Sequence, residues 1–266
     1  MYGNNYKNLK KQLDDLYRNF SVSNKKQNDP VQFIYNYKKK NDQEIIAFLC
    51  STLALGRVEQ IIKTCKILIS KLGDSPQKKI LDDSFIFLFS DFKHRFFDGA
   101  DITTLLTTLR LILLEYGTLE NLFISELKNN KQNYINALNA FALKIKTKLL
   151  RQNNSIKKNL IAIPQDLSAC KRLCLFMKWM IRKDSIDPGV WNNKLAHLKK
   201  ELIIPLDAHI AKFARKANIT NRKNNNWTTA VEITKFLKKL NPDDPLKYDF
   251  AICHLGISQL RKLRNQ

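Results

Sequence analysis

SACKRLCLFMKW, residues 168–179, opens the helix ACKRLCLFMKWMIR (169–182), and the reading of the whole chain turns on it. Ser168 is placed to cap this helix, which ends before the polar loop KDSIDPG. Lys171 falls in the first turn of an otherwise apolar segment. There the positive end of the helix dipole and the apolar neighbours both disfavour an ammonium. The amine is thus favoured in the neutral, nucleophilic form that Schiff-base chemistry requires. In a chain so rich in Lys, a solvated surface residue is the other reading of the same position.

Working outward, the stretch ELIIPLDAHIAKFARKANI (201–219) places Pro205 and Asp207 at the entry to a second helix, AHIAKFARKAN (208–218). Asp207 is a natural N-cap, and that role alone would account for it. A carboxylate held by backbone N–H groups also stays ionised, and so suits a developing cation nearby. His209 follows two residues on and is read either as a packed histidine or as part of the same site.

The rest of the chain is helical by pattern. Leu9, Leu13, Leu16, Tyr17 and Phe20 recur at helical spacing, and Asp29, Pro30 and Gln32 suit a helix start. Asp42 precedes the apolar helix EIIAFLCSTLAL, which Gly56 can close. Further helices are expected over 58–72 (stopped by Gly73), 101–116 (stopped by Gly117), 123–127, 134–150, 227–240 and 248–263. Residues 151–158 and 219–226 read as polar loops. Only seven glycines occur and no alternating run stands out, so the class is all-α without a sheet. No Gly-, Pro- or Ser-rich linker divides the chain, so any two lobes must share a core.

Composition narrows the function. With 44% hydrophobic residues the chain is neither disordered nor, lacking an apolar run of roughly 18 residues, membrane-spanning. The N-terminus carries no apolar export signal, and a cytoplasmic, nucleoid-associated protein is expected. Lys and Arg number 46 against 24 Asp and Glu, a net charge of +22 that calls for a polyanion. Only 11 of the 46 are Arg, however, and A/T-rich coding DNA produces the same bias. The five cysteines are scattered and odd in number, which argues for free thiols. Their spacing with His197 and His209 fits no common zinc motif, and no metal or cofactor is expected.

A lysine opening one helix, then Pro-x-Asp-x-His opening a later one, resembles the helix-hairpin-helix DNA glycosylases and AP lyases. The resemblance spans about Glu44 to Gly256 and includes EIIAFLCSTLALGRVEQI (44–61), similar to that superfamily's first core helix. Closer still is an uncharacterised bacterial family sharing the PLDAH and ACKR elements. Among characterised members the archaeal 8-oxoguanine glycosylases are most similar, through a long insert between lysine and aspartate. The chain departs from the superfamily at Asp166–Cys170 (DLSAC), which holds no glycine where a Gly-x-Gly is usual.

The resemblance implies two helical lobes flanking a cleft. Residues 1–43 with 206–266 would form one and residues 44–205 the other, with the hairpin-like element near 160–182. It implies duplex DNA carrying a damaged base or abasic site as partner, the base rotated into the cleft, and a monomer sufficing. Lys171 would attack the sugar C1′ and Asp207 would stabilise the cation. Leu53 or Arg57 would fill the gap left by the base; the plainer reading makes Leu53 core and Arg57 a phosphate contact. Phe176, Trp179 or Trp191 would stack on the base, although helical spacing equally suits core for the first two. Ser168, Arg172, Lys178 and Arg182 would contact phosphate, although a charged outer face equally suits the last three, and His209 would flank the site. Two rival readings are open: a non-catalytic DNA- or RNA-binding module of the same fold, and a helical scaffold whose charge reflects codon usage.

Overall fold

Two helices with apolar faces, α2 (Lys40–Thr52) and α8 (Lys171–Ile181), pack against each other. Their meeting point is an edge-to-face pair, Phe48 against Phe176, with ring centroids 5.2 Å apart. The structure, a computed structural model, describes residues 2–21, 28–157 and 159–253. It is mostly helical: among the described residues, 65% lie in helices and two short strands occur.

In chain order, α1 (Tyr2–Ser21) and a 3-10 turn (Pro30–Asn36) precede α2. Then come α3 (Val58–Leu72), α4 (Pro76–Leu81), the strands β1 (Lys93–His94) and β2 (Phe97–Asp98), and α5 (Gly99–Tyr116). α6 (Leu119–Asn129) and α7 (Tyr134–Gln152) lead to α8. α9 (Asn192–Leu195), a 3-10 turn (Ala196–Glu201), α10 (Ala208–Lys216) and α11 (Trp227–Leu240) follow. Local chemistry sets most boundaries. Asp98 and Asp101 form a reciprocal capping box at the head of α5, and Gly73 and Gly117 end α3 and α5 at φ 71° and 77°.

The core's polar pin is Glu44. It is buried, and its carboxylate accepts from Leu119 N (2.7 Å), Glu120 N (2.9 Å) and Trp191 Nε1 (2.7 Å). It therefore caps α6 from α2, and burial pushes it up to about 7 against the pull of those three donors. Trp191 in turn stacks on Phe123 and meets Phe176 edge-on, while Phe141 stacks on Phe176.

Several expectations are corrected. A two-residue hairpin, β1–β2, is present where no sheet was expected; strands this short leave no alternation to read. α2 starts at Lys40, so Asp42 does not precede it but lies in its first turn, where it reaches across to accept from Gln77 N at the start of α4. It ends at Thr52 with Leu53 as its C-cap, so Gly56 is a bend beyond the helix rather than its terminator. The segment after Asp29 is a 3-10 turn, and α6 is longer than 123–127. The stretch 183–202 folds back on α8, where Trp179 O and Met180 O accept from Gly189 N and Trp191 N. The last expected helix is seen over 249–253; residues 254–266, with Gly256, lie outside the described residues. No single helix among the described residues is long and apolar enough to cross a membrane.

Candidate active site

Lys171 is the first residue of α8, and the turn that delivers it is unusual. Leu167 (φ 56°) and Cys170 (φ 48°) are both left-handed without being glycine. Cys170 gives α8 no side-chain cap. The expected capping role of Ser168 is thus corrected: its Oγ accepts from Cys170 N at 3.3 Å and braces the turn instead. The turn is further tied to the head of α11, where Leu167 O accepts from Trp227 N and Ser168 pairs with Asn226.

Asp207 caps α10 as its sequence suggests. Its Oδ1 accepts from His209 N and Ile210 N, both at 2.9 Å. The other oxygen, Oδ2, lies 3.8 Å from Lys171 Nζ and accepts the Cys253 thiol at 3.2 Å. Lys171 and Asp207 keep 33% and 13% side-chain exposure, so solvent or a ligand reaches the lysine while the carboxylate is largely enclosed. Burial pushes the Cys253 thiol well above its usual range, helped by the Asp207 and Asp249 carboxylates, so it stays a neutral donor.

These three groups line one cavity of about 230 Å³. Ile61, Leu175, Trp179 and Phe250 give it apolar walls, and Arg57, Glu59 and His209 add polar groups. An apolar cavity of about 150 Å³ takes up benzene, so this one suits a heterocycle of one or two rings. Two turns along α8 from Lys171, Lys178 reaches the same cavity, with Asp249 2.6 Å and Asp187 3.6 Å away. Burial alone would lower the ammonium, but the two carboxylates hold it well above its usual range. Burial pushes Asp187 up to about 6, despite Lys178 and Arg182 beside it.

The structure separates the other expected site residues. Trp179 is on the cavity wall, and His209 and Arg57 line it too, Arg57 exposed as the residue before α3. Phe176 and Trp191 are fully buried in the aromatic cluster, which removes them from base stacking. Leu53, at 1% exposure, is core and fills no gap. Arg172 donates to Thr52 O and Asn159 O and lies 5.6 Å over the Phe97 ring, so it is a brace rather than a phosphate contact. Burial lowers it to about 10. Lys178 and Arg182 are likewise buried in ion pairs, Arg182 with Asp184, Asp187 and Asp244. Sequence reasoning missed Lys178 and Asp249 as cavity residues. The spacing of Lys178 from Lys171, two turns along one helix, was the available signal. Cys253 was foreseen only as a free thiol; all five cysteines are free. No cluster of three His, Cys, Asp or Glu with metal-holding geometry is found among the described residues.

Over residues 29–258, most of its length, the chain matches the family described as Protein of unknown function (DUF2400), and it belongs to that family. No curated protein and no solved structure matches it. No helix-hairpin-helix glycosylase family matches either, so the superfamily membership suggested by the motifs is corrected. Short elements such as ACKR and PLDAH are helix starts and caps, which recur wherever a helix begins. What remains of that reading is the local geometry of Lys171 and Asp207.

Proposed function

We propose that the chain is a DNA-repair glycosylase with AP lyase activity, excising a damaged base, an oxidised purine being the class considered, through a lysine Schiff base. One observation carries the reading: an amine and an enclosed carboxylate face each other at 3.8 Å on the wall of a heterocycle-sized cavity. The net charge of +22 supports a polyanionic partner, duplex DNA with a damaged base or abasic site. The finer fold belongs to the same reading: two helical lobes, 1–43 with 206–266 and 44–205, flanking the cavity, a monomer sufficing.

In this scheme the flipped base occupies the cavity beside Trp179. The Lys171 amine bonds to C1′, and the glycosidic bond breaks with its electron pair leaving on the base, which takes up a proton. Asp207, fixed by the two N–H groups of α10, stabilises the cationic sugar and accepts the proton shed by the lysine nitrogen. The sugar ring opens to an iminium on Lys171. Loss of a C2′ proton then expels the 3′ phosphate by β-elimination, and water releases the lysine. No cofactor enters the scheme.

Duplexes carrying an abasic site or 8-oxoguanine, incubated with the protein and borohydride, test it. A trapped covalent adduct that Lys171→Ala abolishes and Asp207→Asn strongly reduces is expected. Binding to both duplexes without an adduct at any pH would overturn the Schiff base and leave a monofunctional glycosylase or a non-catalytic DNA- or RNA-binding module.

A further inference from the structure

We infer that the tip of the β1–β2 hairpin, Arg95–Phe96, is the element that enters duplex DNA beside the cavity, Phe96 stacking where a base has been displaced. The inference rests on the excision reading above for its substrate, and on separate observations for its location. Of the two residues read from the sequence as gap fillers, Leu53 is buried and Arg57 stays exposed at the cavity rim, next to the hairpin.

Phe96 is 48% exposed at the end of a two-residue turn; Phe87, at 89%, is the other strongly exposed phenylalanine among the described residues. The Phe96 ring is held firmly. It meets the fully buried Phe97 edge-on at 5.2 Å, and the Arg95 guanidinium lies 5.7 Å from its centroid. Arg95 itself takes a left-handed φ of 57° to make the turn.

The hairpin is anchored to the site on both sides. On one side Arg95 packs over Gly56, so closely that a Cβ there would lie 2.6 Å from Nη1. Gly56 and Arg57 form the rim of the Lys171 cavity and share a second, open depression with Arg95. On the other side Phe97 lies under Arg172, the neighbour of Lys171 on α8. A rigid aromatic tip with exposed Lys93, Arg95 and Arg57 around it is thus fixed to both the rim and the nucleophile's helix. Apolar wedges flanked by cations are how proteins unstack a base step while holding its phosphates. A charge of +22 favours a duplex over an acidic peptide as the occupant, because a duplex offers both the stack and the phosphates.

Two variants test it. In Phe96→Trp the introduced indole, read against the wild-type tryptophan background, should be quenched at saturating duplex carrying a reduced abasic site. In Phe96→Ala, borohydride trapping on a duplex abasic site should fall by roughly tenfold or more, the scale of one base–aromatic stack. Trapping on a single strand, where nothing needs unstacking, should be unchanged. An unquenched indole with bound duplex, or equal duplex trapping by Phe96→Ala and wild type, would overturn the inference while leaving the excision chemistry intact. If the wild type never traps, the indole still decides: quenching keeps the hairpin contact without the chemistry, and no quenching removes both.

Discussion

Asp207 holds two positions at once, and substitution can separate them. Oδ1 closes the head of α10, while Oδ2 faces Lys171 and the Cys253 thiol. Asp207→Asn keeps a carbonyl oxygen for the two backbone donors and removes the charge. Asp207→Ala removes both. Losing a cap costs about 1 kcal/mol, which in a chain of this size lowers Tm by roughly 2–4 °C. We expect a lower Tm for Asp207→Ala alone, and lost trapping for both variants. Equal melting of all three forms would deny the cap; undiminished trapping by Asp207→Asn would deny the carboxylate a chemical part. At this scale the sequence is legible where the cause is local. The capping of α10 follows from Asp207 and the residues just after it. The burial of Phe176 and Trp191 follows from Phe123 and Phe141, which no window around either residue contains.

At the scale of elements, the turn 167–170 decides how Lys171 is presented. Two non-glycine residues hold left-handed backbone there, at a cost of about 1–2 kcal/mol each. The turn persists because α11 and the buried Cys170 side chain over-determine it. Leu167 is 62% exposed and loses little contact if truncated. Glycine there relieves the left-handed cost but adds about 0.5–1 kcal/mol of unfolded-state entropy. The relief wins, so Leu167→Gly should raise stability by about 0.5–1 kcal/mol in denaturant titration, and Leu167→Ala should not. A Leu167→Gly protein no more stable than the alanine variant would show that the turn is unstrained. The missing glycines of DLSAC were thus a poor guide to backbone shape, because the conformation comes from packing around the turn. Helix starts and stops in α5, α7, α10 and α11 were readable from caps and periodicity. The hairpin β1–β2 was not, since its position is set by Gly56 and Arg172, far away in sequence.

For the whole molecule, charge is the feature with two explanations, and salt distinguishes them. A net charge of +22 repels itself, so raising the salt should raise Tm whether or not DNA is a partner. Duplex affinity should move the opposite way if lysines and arginines displace counterions. The logarithm of the binding constant then falls with the logarithm of salt by about 0.9 per phosphate contact. An interface built on the hairpin and the rim of the cavity would reach several phosphates. Between 50 and 200 mM salt, six to ten contacts lose roughly 10³–10⁵ in affinity. Arg57→Ala and Arg95→Ala should each flatten the slope by about one contact. They should leave the rise in Tm almost untouched, because one charge among so many barely changes the self-repulsion. The paired titrations, thermal melting and duplex binding across one salt series, therefore read two different consequences of the same composition. A rising Tm with no measurable duplex binding at the lowest salt would assign the charge to codon usage and make the chain a helical scaffold. A steep slope that neither arginine variant changes would keep nucleic acid as the partner and move the interface away from the cavity.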